Sequence, residues 1–194
     1  MNKFILIGGC QEKADPTKLS DAIFLNVNSP VNFLICLFAK NQNAGDIWNE
    51  YFDDYKRFFS ALSPKHAINF VLAKESEFDS QIKDADIVYF SGGDSIPLYS
   101  TLARISNQWV SEMQNKIVIG SSAGTDMLSK HNYDIQQNAL DDGMGIVPIK
   151  TIVHFGQQDG CWSHIDWRKA FFALKEYGED LPIYPLREGE FVVI

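Results

Sequence analysis

The sequence predicts an α/β protein of three layers, with a mostly parallel, doubly wound sheet between two layers of helices. Three observations carry that expectation. Short runs rich in Val, Ile and Phe recur along the chain, as strands buried on both faces of a parallel sheet require. Amphipathic helical patterns lie between several of these runs. Their alternation implies βαβ units with helices on both faces.

Phe4–Ile7 is the first predicted strand; its apolar run stops at Gly8-Gly9 and is too short for a signal peptide. Ala22–Val27, Phe33–Ala39, Ala67–Leu72, Ile87–Phe90, Ile117–Ile119 and Thr151–Phe155 follow as further strands. Between Asp46 and Leu62, the residues Ile47, Tyr51, Tyr55, Phe58 and Leu62 recur at helical spacing and predict an amphipathic helix. Asp166 to Tyr177 repeats the pattern, with Trp167, Ala170, Phe171 and Leu174 on one side. Leu181–Ile194 reads as two extended pieces around a turn at Arg187-Glu188-Gly189. The sequence stops inside the second piece, at Val192-Val193-Ile194, which leaves room for a longer natural chain.

At 194 residues, with no repeat and no Pro/Gly-rich linker, residues 1–194 are expected to form one domain with a sizeable core. Hydrophobic residues make up 45% of the chain and charged ones 22%, which sets disorder and coiled coil aside. A net charge of −8 argues against a nucleic-acid partner, because phosphate contacts need clustered Lys and Arg. No apolar stretch approaches the roughly 18 residues that span a bilayer, so no membrane partner is expected. Cys10, Cys36 and Cys161 are odd in number and widely spaced. They form neither a disulfide framework nor a zinc pattern, and fit a cytoplasmic protein.

The most informative stretch runs from Lys116 to Leu128: a buried strand, then Gly120-Ser121-Ser122-Ala123-Gly124, then a predicted helix. A serine hydroxyl is a weak nucleophile and must be held exposed beside a base. A sharp turn between strand and helix does this, with Gly120 and Gly124 letting the backbone pass closely. The following helix offers free N–H groups and a positive dipole to a developing oxyanion. Chance would place a bare Gly-x-Ser-x-Gly in roughly a few per cent of chains this long. The apolar strand before it makes Ser122 a candidate nucleophile.

The chain after Ser122 holds His131, His154 and His164, and is short for a standard α/β-hydrolase. His154 is the favoured base, since it ends the apolar run Ile152-Val153, at the edge where a parallel sheet keeps its sites. His131 falls in what reads as a polar loop, and His164 in the loop or first turn before Trp167. The third member should be a carboxylate that orients the imidazole. Asp134 is the first choice because it permits the order Ser, Asp, His; Asp141, Asp142 and Asp159 compete with it. A second glycine turn, Ser91-Gly92-Gly93-Asp94-Ser95, follows the strand Ile87–Phe90. There the Gly93 and Ala123 amides would form an oxyanion hole, and Asp94 or Ser95 would cap a helix. Gly8-Gly9 lacks the rest of a dinucleotide fingerprint, and no Walker motif or metal-ligand spacing is present.

Phe90-Ser91-Gly92-Gly93-Asp94, Ile119-Gly120-Ser121-Ser122-Ala123-Gly124, Val153-His154-Phe155 and Pro185-Leu186-Arg187-Glu188-Gly189 occur in the order seen in dipeptidase E-like serine peptidases. The chain resembles that family, the α-aspartyl dipeptidases with cyanophycinase as a relative, over most of its length. The resemblance implies a class I glutamine amidotransferase-like, flavodoxin-type fold. It also implies Ser122 as nucleophile, His154 as base, and Gly93 with Ala123 as oxyanion donors. Related amidotransferases carry cysteine at the elbow, so serine points toward the peptidases. Two departures stand out. Ser91 and Asp94 replace a glycine and an asparagine usual in the first block, and the segment from Ser122 to His154 is shortened, so Asp134 does not align cleanly.

The expectation is therefore a serine peptidase or amidohydrolase that cleaves a small peptide or amide through an acyl-enzyme, with no metal or organic cofactor. An esterase on the same elbow, or a catalytically silent binding protein, are the alternatives. Arg168 and Arg187 are read as solvated, although either would suit a substrate carboxylate. The residues leave oligomeric state open; a homodimer would be usual for a compact enzyme.

Overall fold

The computed structural model describes residues 2–40, 47–158 and 162–194. The central sheet has six strands: β1 (Lys3–Ile7), β2 (Val31–Cys36), β3 (Ile68–Leu72), β4 (Ile87–Phe90), β5 (Ile117–Ser121) and β10 (Phe191–Val193), in the order β10-β1-β5-β4-β2-β3. All pairs are parallel except β10 on β1. The neighbouring strands β1 and β5 send the helices that follow them, Pro16–Phe24 and Ala123–Leu128, to opposite faces, the kind of switch point where open α/β sheets keep their sites.

Strand side chains alternate between two buried clusters, one on each face. Leu6, Leu34, Val88, Phe90 and Val118 meet α3 (Phe78–Asp84), α4 (Ser95–Leu102), α5 (Gln108–Glu112) and α6 (Ala123–Leu128) through Phe78, Leu98, Trp109 and Met127. Ile5, Ile7, Phe33, Ile35, Tyr89 and Ile119 meet α1 (Pro16–Phe24) and α2 (Ile47–Leu62) through Leu19, Ile23, Tyr55 and Phe59. Each such fully buried side chain contributes about 1.5–3 kcal/mol relative to exposure. The three-layer expectation holds, and no helix among the described residues is long and apolar enough to cross a membrane.

Three details differ from the sequence reading. Ala22–Val27 is not a strand: its first three residues end α1. Asp15 accepts from the Thr17 and Lys18 amides and Pro16 occupies the first turn, so the helix is nucleated before the apolar run begins. In α2 the buried residues are Tyr55 and Phe59, while Ile47 and Tyr51 are exposed; the helix is where it was expected but turned by one position.

The largest difference is a second sheet of four strands, β7-β6-β8-β9. It contains β6 (Ser129–Asp134), β7 (Ala139–Asp142), β8 (Val147–Ile152) and β9 (Ile183–Pro185). Thr151–Phe155 is thus the end of β8 and the turn beyond it, in this sheet and not in the central one. His131 lies on β6, buried, with Nδ1 against Asp142 (2.6 Å) and Nε2 against Glu179; it is no loop histidine. The expected helix α7 (Trp167–Glu176) is capped by Asp166 and packs Ala170 and Leu174 against this sheet.

Candidate active site

At the end of β5 the chain turns abruptly into α6, and Ser122 sits at the corner with φ 50° and ψ −117°. A non-glycine residue held there costs on the order of 1–3 kcal/mol and persists only when its surroundings over-determine it. Here the Ser122 amide donates to Ile7 O (3.0 Å), and its carbonyl accepts from the Thr125 (2.7 Å) and Asp126 (3.0 Å) amides. Thr125 Oγ1 accepts from Ile7 N (3.1 Å) and lies within reach of the Ile7 (2.8 Å) and Gly120 (2.9 Å) carbonyls, stapling the turn to β1. A Cβ on Gly124 would overlap the Phe90 carbonyl, so the last glycine of the motif is required by packing.

Ser122 Oγ lies 3.0 Å from His154 Nε2. His154 follows β8 in a tight turn, and its own amide donates to Gly8 O (2.8 Å). Its other nitrogen, Nδ1, meets Glu188 Oε1 at 3.1 Å. The imidazole and the Glu188 carboxylate are each 12% exposed. Burial lowers the His154 pKa, Glu188 opposes that shift, and the Lys13 charge adds to it. Below its usual value of about 6.5, the ring is neutral at pH 7 and free to accept a proton. Glu188 is held below the carboxylate range chiefly by its ion pair with Lys13, and also by hydrogen bonds from His154 and Cys10.

The carboxylate at Nδ1 is therefore Glu188 and not Asp134, the first choice of the sequence reading. Asp134 Oδ1 accepts from the Gln136 (2.7 Å) and Gln137 (3.0 Å) amides, closing the β6–β7 hairpin, while Oδ2 accepts from Ser95 Oγ (3.2 Å). Those bonds fix it in the cavity wall and give His154 no share of it. Asp141 lines the same cavity, Asp142 is paired with His131, and Asp159 lies outside the described residues. His164 is exposed in the loop before α7.

Ser122, Ala123, Gly93 and His154 line one cavity of about 220 Å³, together with Tyr99, Asp126, Asn132, Asp134 and Trp162. Among the described residues the amides of Gly93 and Ala123 have no hydrogen-bond acceptor. Gly93 has φ +151° and no room for a Cβ, which would overlap Ala39 O. Asp94 is not part of this cavity's lining: its carboxylate accepts from Ile96 N (2.9 Å) and caps α4. Asp126 is 7% exposed, and burial raises its pKa well above the usual range. Arg168 lies over the Phe172 ring and Arg187 is exposed, both clear of the cavity lining.

Sequence reasoning missed four contributors. Glu188 lies in the Pro185–Gly189 block, where nothing in the sequence marks it as the partner of His154. Gly9, with φ +113°, has the His154 ring where its side chain would be. Trp162 lays its ring 5.8 Å from the imidazole. Cys10 stands beside Glu188. The available signal was the pair of glycines after β1, a close backbone approach with no dinucleotide motif to explain it.

A strained serine on a strand-to-helix turn, a half-buried histidine at its hydroxyl and a carboxylate behind that histidine define a serine hydrolase of the three-layer α/β class. Comparison with known proteins narrows this. The chain belongs to peptidase family S51, whose pattern matches residues 39–194, and it is a serine peptidase of the dipeptidase E type. No curated protein matches the sequence. Among solved structures, a protein described as a candidate peptidase E from Listeria monocytogenes EGD-e superposes with a TM-score of 0.68 at 16% identity, covering 100% of this chain and 98% of that one. A peptidase from an acI-B1 actinobacterium superposes with a TM-score of 0.60 at 21% identity, covering 100% and 83%. Both share the fold.

Proposed function

We propose that the chain hydrolyses small peptides or amides through an acyl-enzyme on Ser122. The observation that carries this reading is the continuous relay from Ser122 Oγ to His154 Nε2 (3.0 Å) and from His154 Nδ1 to Glu188 (3.1 Å). Neutral His154 takes the Ser122 proton as the oxygen attacks the substrate carbonyl. Glu188 holds the ring with its proton on Nδ1, leaving Nε2 as the acceptor, and stabilises the imidazolium that forms. The tetrahedral oxygen is received by the Gly93 and Ala123 amides, where each donor is worth about 3–4 kcal/mol to such a transition state. The imidazolium then protonates the leaving amine. Water, activated by the same histidine, releases the acid product.

The cavity is smaller than the roughly 300–1,000 Å³ of common ligand pockets, which favours a dipeptide-sized substrate. A panel of dipeptides and single-residue aryl amides, followed by intact-mass analysis of the quenched enzyme, tests the proposal. A transient acyl adduct on Ser122 that forms with turnover supports it. Peptide hydrolysis that survives Ser122→Ala would refute it, and turnover of aryl esters without any amide would assign the same machinery to an esterase.

A further inference from the structure

The fold assembles a ligand set that no spacing in the sequence shows. Cys10 Sγ, a nitrogen of His154 and a Glu188 carboxylate oxygen lie within 4.8 Å of one another, and all three residues are partly accessible. They come from the turn after β1, the turn after β8 and the turn before β10, three segments that the Gly8 and Gly9 backbone ties together. His154 N donates to Gly8 O (2.8 Å) and Gly189 N donates to Gly9 O (2.9 Å). The nitrogen on this side is Nδ1, since Nε2 faces Ser122.

From this geometry we infer that Cys10, His154 and Glu188 form an inhibitory site for Zn²⁺ or another thiophilic divalent cation, behind the catalytic relay. One sulfur, one imidazole nitrogen and one carboxylate oxygen are the donors that zinc takes in tetrahedral sites. Bonds of about 2.0–2.3 Å place tetrahedral ligands roughly 3.3–3.8 Å apart, so the three atoms need to close by only about 1 Å. A thiolate and a carboxylate together neutralise the ion, and water completes the fourth corner. Lys13 now supplies the positive charge at Glu188; its side chain is 55% exposed and free to swing away as the ion enters.

The consequence for the relay follows from the tautomer. Coordination at Nδ1 displaces the proton from that nitrogen, and through water it returns to Nε2, so the ring stays neutral. Nε2 then carries a hydrogen toward Ser122 Oγ and no longer accepts one, leaving the serine without a base. Cys10 gives its thiol proton to solvent. Burial and the neighbouring Glu188 push that thiol up to about 11, so the metal must be one that binds thiolate strongly.

The loss of activity rests on the serine-peptidase reading above; binding itself does not. Co²⁺ and Zn²⁺ are therefore titrated into metal-free protein while two signals are read: the thiolate-to-cobalt charge-transfer absorption, and the rate of fluorophosphonate labelling. Wild type is expected to bind one ion per chain, with that absorption, and labelling is expected to fall in step with occupancy. Cys10→Ala should weaken binding by at least about 100-fold, since even outer-shell partners of a metal cost 10–100-fold. Lys13→Met should tighten it. Each variant is compared with its own metal-free rate, so a change in basal activity does not confuse the result. Binding that is unaffected by Cys10→Ala, a cobalt complex without a thiolate band, or no binding by wild type would each overturn the inference. Metal binding with no labelling at any stage would leave the site standing and remove the serine reading instead.

Discussion

Ser122 is held by the strand and helix that flank it in sequence and by the two strands beside them, β1 and β4. His154 and Glu188, by contrast, reach the site only because β8 and β9 pair in the four-stranded sheet. The Leu186 amide donates to Ile152 O (2.9 Å) and the Phe155 amide to Leu186 O (2.9 Å), carrying that ladder past both strand ends. The turn with Glu188 is thereby set beside the turn with His154, 34 residues away in sequence. One sheet carries a local motif; the other supplies its partners through long-range register.

This contrast yields predictions of different size. Ser122→Ala and His154→Ala should each lower kcat/KM for any peptide substrate by roughly 10⁴–10⁶-fold, with unchanged circular dichroism, because each removes the relay outright. The two carboxylates separate the regions more sharply. Glu188→Gln should cost about 10³–10⁴-fold in kcat by losing the tautomer that the carboxylate fixes. Asp134→Asn should stay within about tenfold, while losing about 1–2 kcal/mol of stability in urea unfolding as two hairpin amides lose a charged acceptor. Equal kinetic losses for the two would break the comparison.

Gly9→Ala probes the junction between the sheets. The new methyl would collide with the imidazole and displace it, and a shift of about 1 Å should lower kcat by roughly 100-fold with little change in KM. The pH profile sharpens the account further. The proposed relay needs neutral His154, whose pKa burial lowers, so activity should rise with pH through a midpoint below about 6.5 and be fully developed at neutrality. The smallest effect is that of Lys13→Met. Removing a charge that lowers the histidine pKa should move this midpoint upward by less than about one pH unit, as expected of an exposed cation.

The same contrast explains what the sequence made legible. Ser122 was readable because strand, glycines, serine and helix occupy one continuous stretch, and His154 because it ends an apolar run. Asp134 misled for a physical reason: it is a buried carboxylate in the right order along the chain, yet its oxygens are taken by the hairpin that it closes. Glu188 was hidden in a short turn whose location depends on β9 and β10 joining different sheets. The central strands were readable from their apolar runs; β6, with His131, Asn132 and Asp134 buried, carries no such signature. Ala22–Val27 shows the opposite error, an apolar run already claimed by a helix capped at Asp15.

The central claim is that Glu188, through His154, arms Ser122. Labelling by a fluorophosphonate, followed by intact mass on wild type, Ser122→Ala, Glu188→Gln and Asp134→Asn, tests it most directly. The account predicts one adduct on wild type, none on Ser122→Ala, labelling slowed by roughly 10²-fold or more in Glu188→Gln, and near-wild-type labelling in Asp134→Asn. Rapid labelling of Glu188→Gln alongside a silent Asp134→Asn would contradict it and return the carboxylate's role to Asp134.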